Sequence, residues 1–384
     1  MVLCPSYFPH RPLPLSSFLL ALFEFNESDS SLGISHLLLM LCVSEMMMQN
    51  GGIMFKDKTV LITGGTGSFG QTFTRRLLQE DLCKKVIIFS RDEWKQWQMQ
   101  QSDPLFNHPK IRYFLGDVRD ANRLKRAFQD VNMIVHAAAL KQVPAAEYNP
   151  TEFVKTNVMG AMNVIDAALD CGVERIIALS TDKAVNPVNL YGATKLCSDK
   201  LFVAGNSYAG ARGYPKFSVV RYGNVADSRG SIIPFWKSLL EAGKKQLPIT
   251  DTRMTRFWIS LQHAANFTYD CFSWMRGGEI FVPKIPSVRI VDLAEALAPG
   301  VQHEICGIRA GEKLNEMLIS AEDARHSVEM DQCYVIAPEI YSYDPSLKQR
   351  FMDGRVGHAL PDGFSFSSDT NAHWLTVEEL RQYI

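Results

Sequence analysis

Short apolar, largely β-branched runs punctuate the chain at Lys58–Thr63, Val86–Phe89, Arg112–Leu115, Met133–Ala137, Arg175–Leu179 and Phe217–Arg221. They are continuous rather than alternating, as parallel strands covered on both faces should be. Helical periodicity fills the intervals, as at Val154–Leu169 and Gly192–Val203. Strand alternating with helix predicts right-handed βαβ units and an α/β fold built on a doubly wound parallel sheet. Ligands of such sheets bind beyond the carboxyl ends of the strands. Past residue 225 the pattern loosens. Ser231–Lys244 reads as a helix, Gly278–Pro283 as a strand after a Gly-Gly turn, and Val291–Leu297 as a helix stopped by Pro299. The expected organisation is a dinucleotide-binding domain over 54–225 and a smaller C-terminal substrate-binding lobe over 226–340. Some segments of that lobe return to the first domain, and 341–384 form a turn-rich tail.

Residues 1–53 do not share this rhythm. Their apolar runs, Ser17–Phe25 and Leu37–Val43, fall short of the ~20 residues of a spanning helix, and Glu24 interrupts the first. No basic stretch, apolar core and small-residue cleavage site follow one another as in a secretory signal. At Met54 the text becomes that of a domain entering its first strand. The expectation is that Met54 is the natural start and that 1–53 is a non-native or disordered extension. The competing reading is a membrane-surface or partner-binding segment.

Composition adds exclusions. Forty basic and 41 acidic side chains nearly cancel, with 46% hydrophobic and 21% charged residues. This is an ordinary globular balance. It excludes a polybasic nucleic-acid coat and an acidic disordered tail, so no nucleic-acid partner and no membrane span are expected. The eight cysteines, at 4, 42, 83, 171, 197, 271, 306 and 333, form no CxxC pair. No metal site is expected, and the thiols are read as unbridged and mostly buried in a reducing cytoplasm.

Gly64, Gly67 and Gly70 follow the first strand and open a helix. Glycines there permit a tight turn and let backbone approach a pyrophosphate at the helix N-terminus. This is a Rossmann-type arrangement, and its GxxGxxG spacing resembles that of short-chain dehydrogenases/reductases. Thr66, Ser68 and Phe69 lie within the loop. Strand two ends in Ser90-Arg91, with Lys95 shortly after. An acidic residue at that end would accept from a ribose 2′-hydroxyl, whereas Arg suits a 2′-phosphate, so NADP is expected over NAD. The alternative for Arg91 is a solvated surface charge. By the same resemblance Asp117 and Val118 reach the adenine, although Asp117 could instead cap a helix. Ala137, Ala139 and Lys141 line the nicotinamide side.

Tyr191 and Lys195 form a YxxxK pair at the start of a helix. Residues four apart share a helix face, and a nearby cation favours the phenolate and lowers the tyrosine pKa. Placed after strand five and behind a glycine loop, the pair resembles that of extended short-chain dehydrogenases/reductases. The run Ser-Thr-Asp-Lys-Ala-Val-Asn-Pro-Val-Asn-Leu-Tyr-Gly-Ala-Thr-Lys, residues 180–195, resembles the nucleotide-sugar 4,6-dehydratases. So do Arg221–Val225, Arg253–Trp258 and Gly307–Leu314. Together they resemble the inverting UDP-N-acetylglucosamine 4,6-dehydratases that open pseudaminic acid biosynthesis. Ala310 and Asn315 depart from that pattern, where Pro and His are usual. Retaining, membrane-anchored dehydratases typically carry Met in place of Tyr191.

The resemblance implies a mechanism and a homo-oligomer. Tyr191 takes the 4-hydroxyl proton, Lys183 is base at C5, Asp182 protonates the leaving 6-hydroxyl, Lys195 bonds the cofactor ribose, and Thr181 bonds the sugar. Adjacent strand residues face opposite sides, so Asp182 and Lys183 must lie in a turn beyond the strand. Burial pushes both toward their neutral forms while mutual attraction opposes it. Lys141, Asn224, Arg253, Arg256, Arg309 and Glu312 are the expected UDP-sugar contacts, arginine being suited to pyrophosphate. A nucleotide-sugar 4-epimerase shares the fold, the cofactor loop and the YxxxK pair but needs no acid–base pair for elimination, so Asp182-Lys183 is the discriminating feature. A non-catalytic NADP sensor would not need the set at all.

Overall fold

The structure, a computed structural model, describes residues 54–226, 228, 230–338 and 357–384. The expectations for 1–53, for Cys4 and Cys42, and for 341–356 lie outside them. β1 (Thr59–Thr63), β2 (Lys85–Ser90), β3 (Ile111–Leu115), β4 (Met133–His136), β5 (Arg175–Thr181) and β6 (Lys216–Tyr222) pair in parallel in the spatial order β3-β2-β1-β4-β5-β6. Ile280–Pro283 joins β6 in parallel. Cys333–Ile336, Ser327–Glu329 and His358–Ala359 then extend the sheet antiparallel. β1 is buried throughout, as helix-covered central strands are. The chain winds outward one way from β1 and the other way from β4, so the crevice at a switch point opens beyond the carboxyl ends of these two strands.

β5 runs to Thr181, beyond the end of its apolar run, because Ser180 and Thr181 go on pairing with Arg221 and Tyr222. The helix expected from Val154 opens as a π turn, Val154–Met159, before the α-helix Gly160–Cys171. Within that turn Asn157 is buried and grips both backbone groups of Leu140, at 2.8 and 2.9 Å. Wide turns of this kind concentrate at functional sites.

A second apolar cluster, with Ile233, Trp236, Leu247, Trp258, Val288 and Leu293, lies around the short sheets that follow β6. Leu375 and Leu380 are buried in the same cluster, so the end of the chain packs as core. No disulfide joins the described cysteines, and burial pushes the Cys83 thiol up to about 11. Among the described residues no helix is long and apolar enough to cross a membrane, and no group of three or more His, Cys, Asp or Glu could hold a metal ion.

Candidate active site

The turn after β1 is set by Gly64, at φ +66°, whose amide donates to Phe89 O at 2.8 Å. A Cβ on Gly64 would stand 2.9 Å from the Ala138 backbone, so no other residue fits there without moving β4's exit. Gly67 is the N-cap of helix Ser68–Gln79 and offers no side-chain cap. The first helical amides therefore keep donors for an anion arriving from the crevice. Thr66 is buried beside them, with its carbonyl fixed by Gln71 at 2.9 Å. Phe69 stacks on Phe73. Ala137 and Ala138 bond to Thr63 at 3.2 Å each, which draws the end of β4 against the glycine turn. Ala139 and Lys141 follow on the exposed side. Partial burial and the charge of Lys183 lower the Lys141 ammonium from its ordinary range.

At the end of β2, Ser90 is buried and held by Gln96 at 3.1 Å. Arg91 is 54% exposed and lies 3.8 Å from Asp117. Asp117 is gripped by the Arg119 guanidinium at 2.9 and 3.0 Å. Burial pushes this carboxyl up, but the bonds to Arg119 outweigh it and hold it low. The cap of the following helix is Asp120, which removes the capping alternative for Asp117. Lys95 pairs with Asp92, which caps its own helix, and Val118 is buried.

Beyond β5 the chain turns through one 3-10 turn, Asp182–Ala184. This brings the neighbours Asp182 and Lys183 together, with Lys183 Nζ 3.0 Å from Asp182 Oδ1. Thr181 caps the turn. Its hydroxyl accepts from the Lys183 amide at 3.4 Å and donates to Asp182 Oδ1 at 2.9 Å. Asp182 is wholly buried, and its Oδ2 has no partner. Helix Leu190–Tyr208 starts opposite, capped by Asn189 through the Gly192 amide at 2.8 Å. A Cβ on Gly192 would fall 2.1 Å from Lys183 O, so this glycine lets the helix carrying Tyr191 and Lys195 press on the turn. Both side chains are buried.

The electrostatics correct one expectation. Burial pushes the Tyr191 phenol up to about 12, outweighing the lowering by Lys183 and Thr181. Lys195 is lowered by burial, against the pull of Asp199. For Lys183 burial works downward, but the attraction of Asp182 and then Glu316 wins and raises the ammonium. Attraction therefore decides the balance that the sequence left open for Lys183.

A cleft of about 200 Å³ opens beside this turn, lined by Lys183, Asn224, Arg256, Glu312, Lys313 and Glu316 among others. Asn224 Oδ1 is buried without a partner. Arg256 donates to the carbonyls of Thr255, Leu314 and Lys313 at 2.7, 3.0 and 3.2 Å. Glu312 accepts from the Arg309 amide at 3.3 Å. Arg309 and Arg253 are exposed and do not line this cleft; Arg253 is bound to Asp251 at 2.8 and 3.0 Å. Two charged cleft residues escaped sequence reasoning, Lys313 and Glu316. Lys313 donates to Val185 O at 2.6 Å. Glu316 is 3% exposed and lies 3.5 Å from Lys183. The available signal for Lys313 was its place in the Gly307–Leu314 motif; for Glu316 there was none, since nothing local relates it to Lys183.

Residues 60–338 match the family described as polysaccharide biosynthesis protein. The chain is 55% identical over 332 residues to the UDP-N-acetylglucosamine 4,6-dehydratase (inverting) of Campylobacter jejuni, covering 86% of this chain and 98% of that one. It is 39% identical over 338 residues to the UDP-glucose 4-epimerase of Rickettsia canadensis, covering 86% and 96%. The X-ray structure of Pen from Bacillus thuringiensis superposes with a TM-score of 0.76 at 32% identity, over 85% of this chain and 97% of that one. The match thus runs along nearly the whole length of known proteins, and the chain belongs to the polysaccharide biosynthesis protein family of extended short-chain dehydrogenases/reductases.

Proposed function

We propose that this chain removes water from UDP-N-acetylglucosamine, giving a UDP-2-acetamido-2,6-dideoxy-4-keto-hexose inverted at C5. The observation that carries the reading is the Asp182–Lys183 pair, 3.0 Å apart in the turn after β5, with Asp182 wholly buried, Lys183 half-buried and the buried Tyr191 carried by the helix packed on that turn. A 4-epimerase needs the tyrosine but no acid and base for elimination. The 55% identity to an enzyme named for this reaction points the same way.

A nicotinamide dinucleotide fits the crevice on the chain's own terms, because Gly64 leaves a cradle that a Cβ would fill and the helix behind Gly67 keeps uncapped amides. When bound, it supplies the chemistry of accepting hydride from C4 and returning it at C6. Its pyrophosphate would rest on Gly64, Thr66, Gly67, Ser68, Phe69 and Gly70. Ser90, Arg91, Lys95, Asp117 and Val118 would hold the adenosine end, and Ala137, Ala139 and Lys141 the nicotinamide side. Arg91 is more than half exposed and so accessible to a 2′-phosphate, which favours NADP.

Tyr191 takes the O4 proton, and the ketone that forms at C4 acidifies C5. Lys183, an ammonium beside a carboxylate, becomes a base by passing one proton to Asp182 across their hydrogen bond. That single shift also makes Asp182 the acid that the leaving 6-hydroxyl requires. Lys195 bonds the cofactor ribose and Thr181 orients the sugar. Asn224, Arg256 and Glu312 bind the sugar nucleotide in the cleft, while Arg253 and Arg309 reach its phosphates from outside.

We assign 54–225 to dinucleotide binding and 226–340 to the substrate lobe, with Ile280–Pro283, Ser327–Glu329 and Cys333–Ile336 returned to the first domain's sheet. By the same resemblance we place the enzyme in the cytoplasm, as a homo-oligomer, at the first step of pseudaminic acid biosynthesis. The test is incubation with UDP-N-acetylglucosamine and NADP. A product lighter by one water, with no accumulation of reduced cofactor, supports the reading. A product of unchanged mass and altered C4 configuration would replace it with the epimerase.

A further inference from the structure

Building on the dehydratase reading, we infer that Glu316 is a positioning residue for the elimination step, acting through Lys183 as the second carboxylate that fixes its amine. Lys183 Nζ lies between Asp182 Oδ1 at 3.0 Å and Glu316 Oε1 at 3.5 Å. The two carboxylates come from different parts of the chain. Asp182 belongs to the turn after β5. Glu316 precedes the strand Met317–Ile319 and is anchored by the end of the chain. Its amide donates to Ser368 Oγ at 2.9 Å, and its carbonyl accepts from the Ser368 amide at 2.8 Å and from Ser367 Oγ at 3.3 Å. The backbone below the carboxyl is therefore held at three points.

A purely structural ion pair would leave no oxygen stranded, since a buried lone acceptor is costly. Glu316 Oε2 is buried without a partner, as is Asp182 Oδ2, and Glu316 lines the cleft. The charged and titratable groups that act on Lys183 are Asp182, Glu316, Arg256 and Tyr191, and Lys183 in turn acts on Lys141 and Lys313. Among these groups only Asp182, Glu316 and Tyr191 favour its charged form.

Asp182 cannot position Lys183 alone, because it must hold a proton when it acts. In the elimination the C5–H bond breaks, its proton goes to Lys183 Nζ and its electron pair becomes the C5=C6 bond. The C6–O bond breaks as that oxygen takes the Asp182 proton and leaves as water. While Asp182 is neutral, Glu316 is the remaining carboxylate that can hold the amine in place. It also stabilises the ammonium formed by proton uptake.

The test is Glu316→Gln, which keeps the shape and removes the charge. Expected are a KM for UDP-N-acetylglucosamine within a few-fold of wild type and an unchanged single-turnover rate of hydride transfer from C4. The rate of C5 proton loss to deuterated water should fall about 100-fold. The acidic limb of the kcat profile should shift to lower pH, because the ammonium of Lys183 loses a stabilising anion. Glu316→Asp should restore part of the C5 step. Wild-type C5 exchange in the Gln variant, or a raised KM with unchanged kcat, overturns the inference. Loss of C4 oxidation and C5 exchange together, or an unfolded Gln variant with a fully active Asp variant, does the same. Wild-type protein that dehydrates nothing sinks the functional reading instead.

Discussion

Gly192→Ala tests whether the catalytic turn depends on close approach of the Tyr191 helix. The new methyl would be 2.1 Å from Lys183 O and 3.1 Å from Pro187 Cβ. Ordinary contact begins near 3.4 Å, so the turn or the helix must retreat by about 1 Å. Backbone on both sides resists this. Thr181 is paired with Tyr222 at the end of β5, and the Gly192 amide is fixed on Asn189 at 2.8 Å. A displacement of about 1 Å between reacting groups costs on the order of 100-fold in rate, or about 2.7 kcal/mol in the barrier. The glycine loop lies elsewhere and is untouched. The expected outcome is therefore a kcat about 100-fold lower with a cofactor Kd within roughly threefold of wild type. The assay is steady-state turnover of UDP-N-acetylglucosamine beside fluorescence titration with NADPH. A kcat within a few-fold of wild type would refute the claim that this contact positions the acid–base pair. Equal losses in turnover and cofactor affinity would show general damage to the fold.

Three further outcomes follow from other parts of the molecule. Arg91→Glu should weaken NADP by roughly 10- to 100-fold, the loss of a charge-assisted contact, and leave NAD affinity nearly unchanged; equal effects on both would remove Arg91 from the 2′-phosphate site. Gly64→Ala, at φ +66° with its methyl 2.9 Å from Ala138, should lower affinity for either dinucleotide while the protein still folds, as calorimetric titration would show. Burial pushes the Asp270 carboxyl up from 3.8 to about 6, against the pull of Arg76. A raised folded pKa means that the stability from its neutral form is full below pH ~4 and is lost as pH rises through ~6. Asp270→Asn should therefore match wild type in urea unfolding near pH 4 and exceed it by about 2 kcal/mol above pH 6. A difference independent of pH would contradict the assignment.

Five of the six parallel strands were legible because each is buried on both faces and is apolar nearly throughout, whereas β3, at the sheet edge, exposes Arg112 and Leu115 and was legible from its remaining apolar residues. The boundary of β5 was less so, since Ser180 and Thr181 pair as strand residues while carrying polar side chains for the site. The π turn at Val154–Met159 has the same apolar periodicity as an α-helix, and the grip of its Asn157 on Leu140 is a contact between separate segments that the local pattern does not carry. Tyr191 and Lys195 share a helix face by their spacing, and Asp182 and Lys183 share one turn, so each pair is a local feature of the chain. Glu316 could not, because nothing local relates it to Lys183. The pairing exists only once the chain after the Gly307–Leu314 motif returns to the turn after β5. Arg253 and Arg256 lie in one motif, yet the strand Thr255–Ile259 takes in Arg256 while Arg253 remains outside on Asp251. Spacing alone could not separate the two.

The most direct test of the central claim is proton NMR of UDP-N-acetylglucosamine incubated with the purified protein and NADP in deuterated water. The expected product is a 4-keto-6-deoxy sugar nucleotide with inverted C5 carrying deuterium. An unchanged C5 with a C4 epimer, or no turnover by a protein that binds the cofactor, would contradict it.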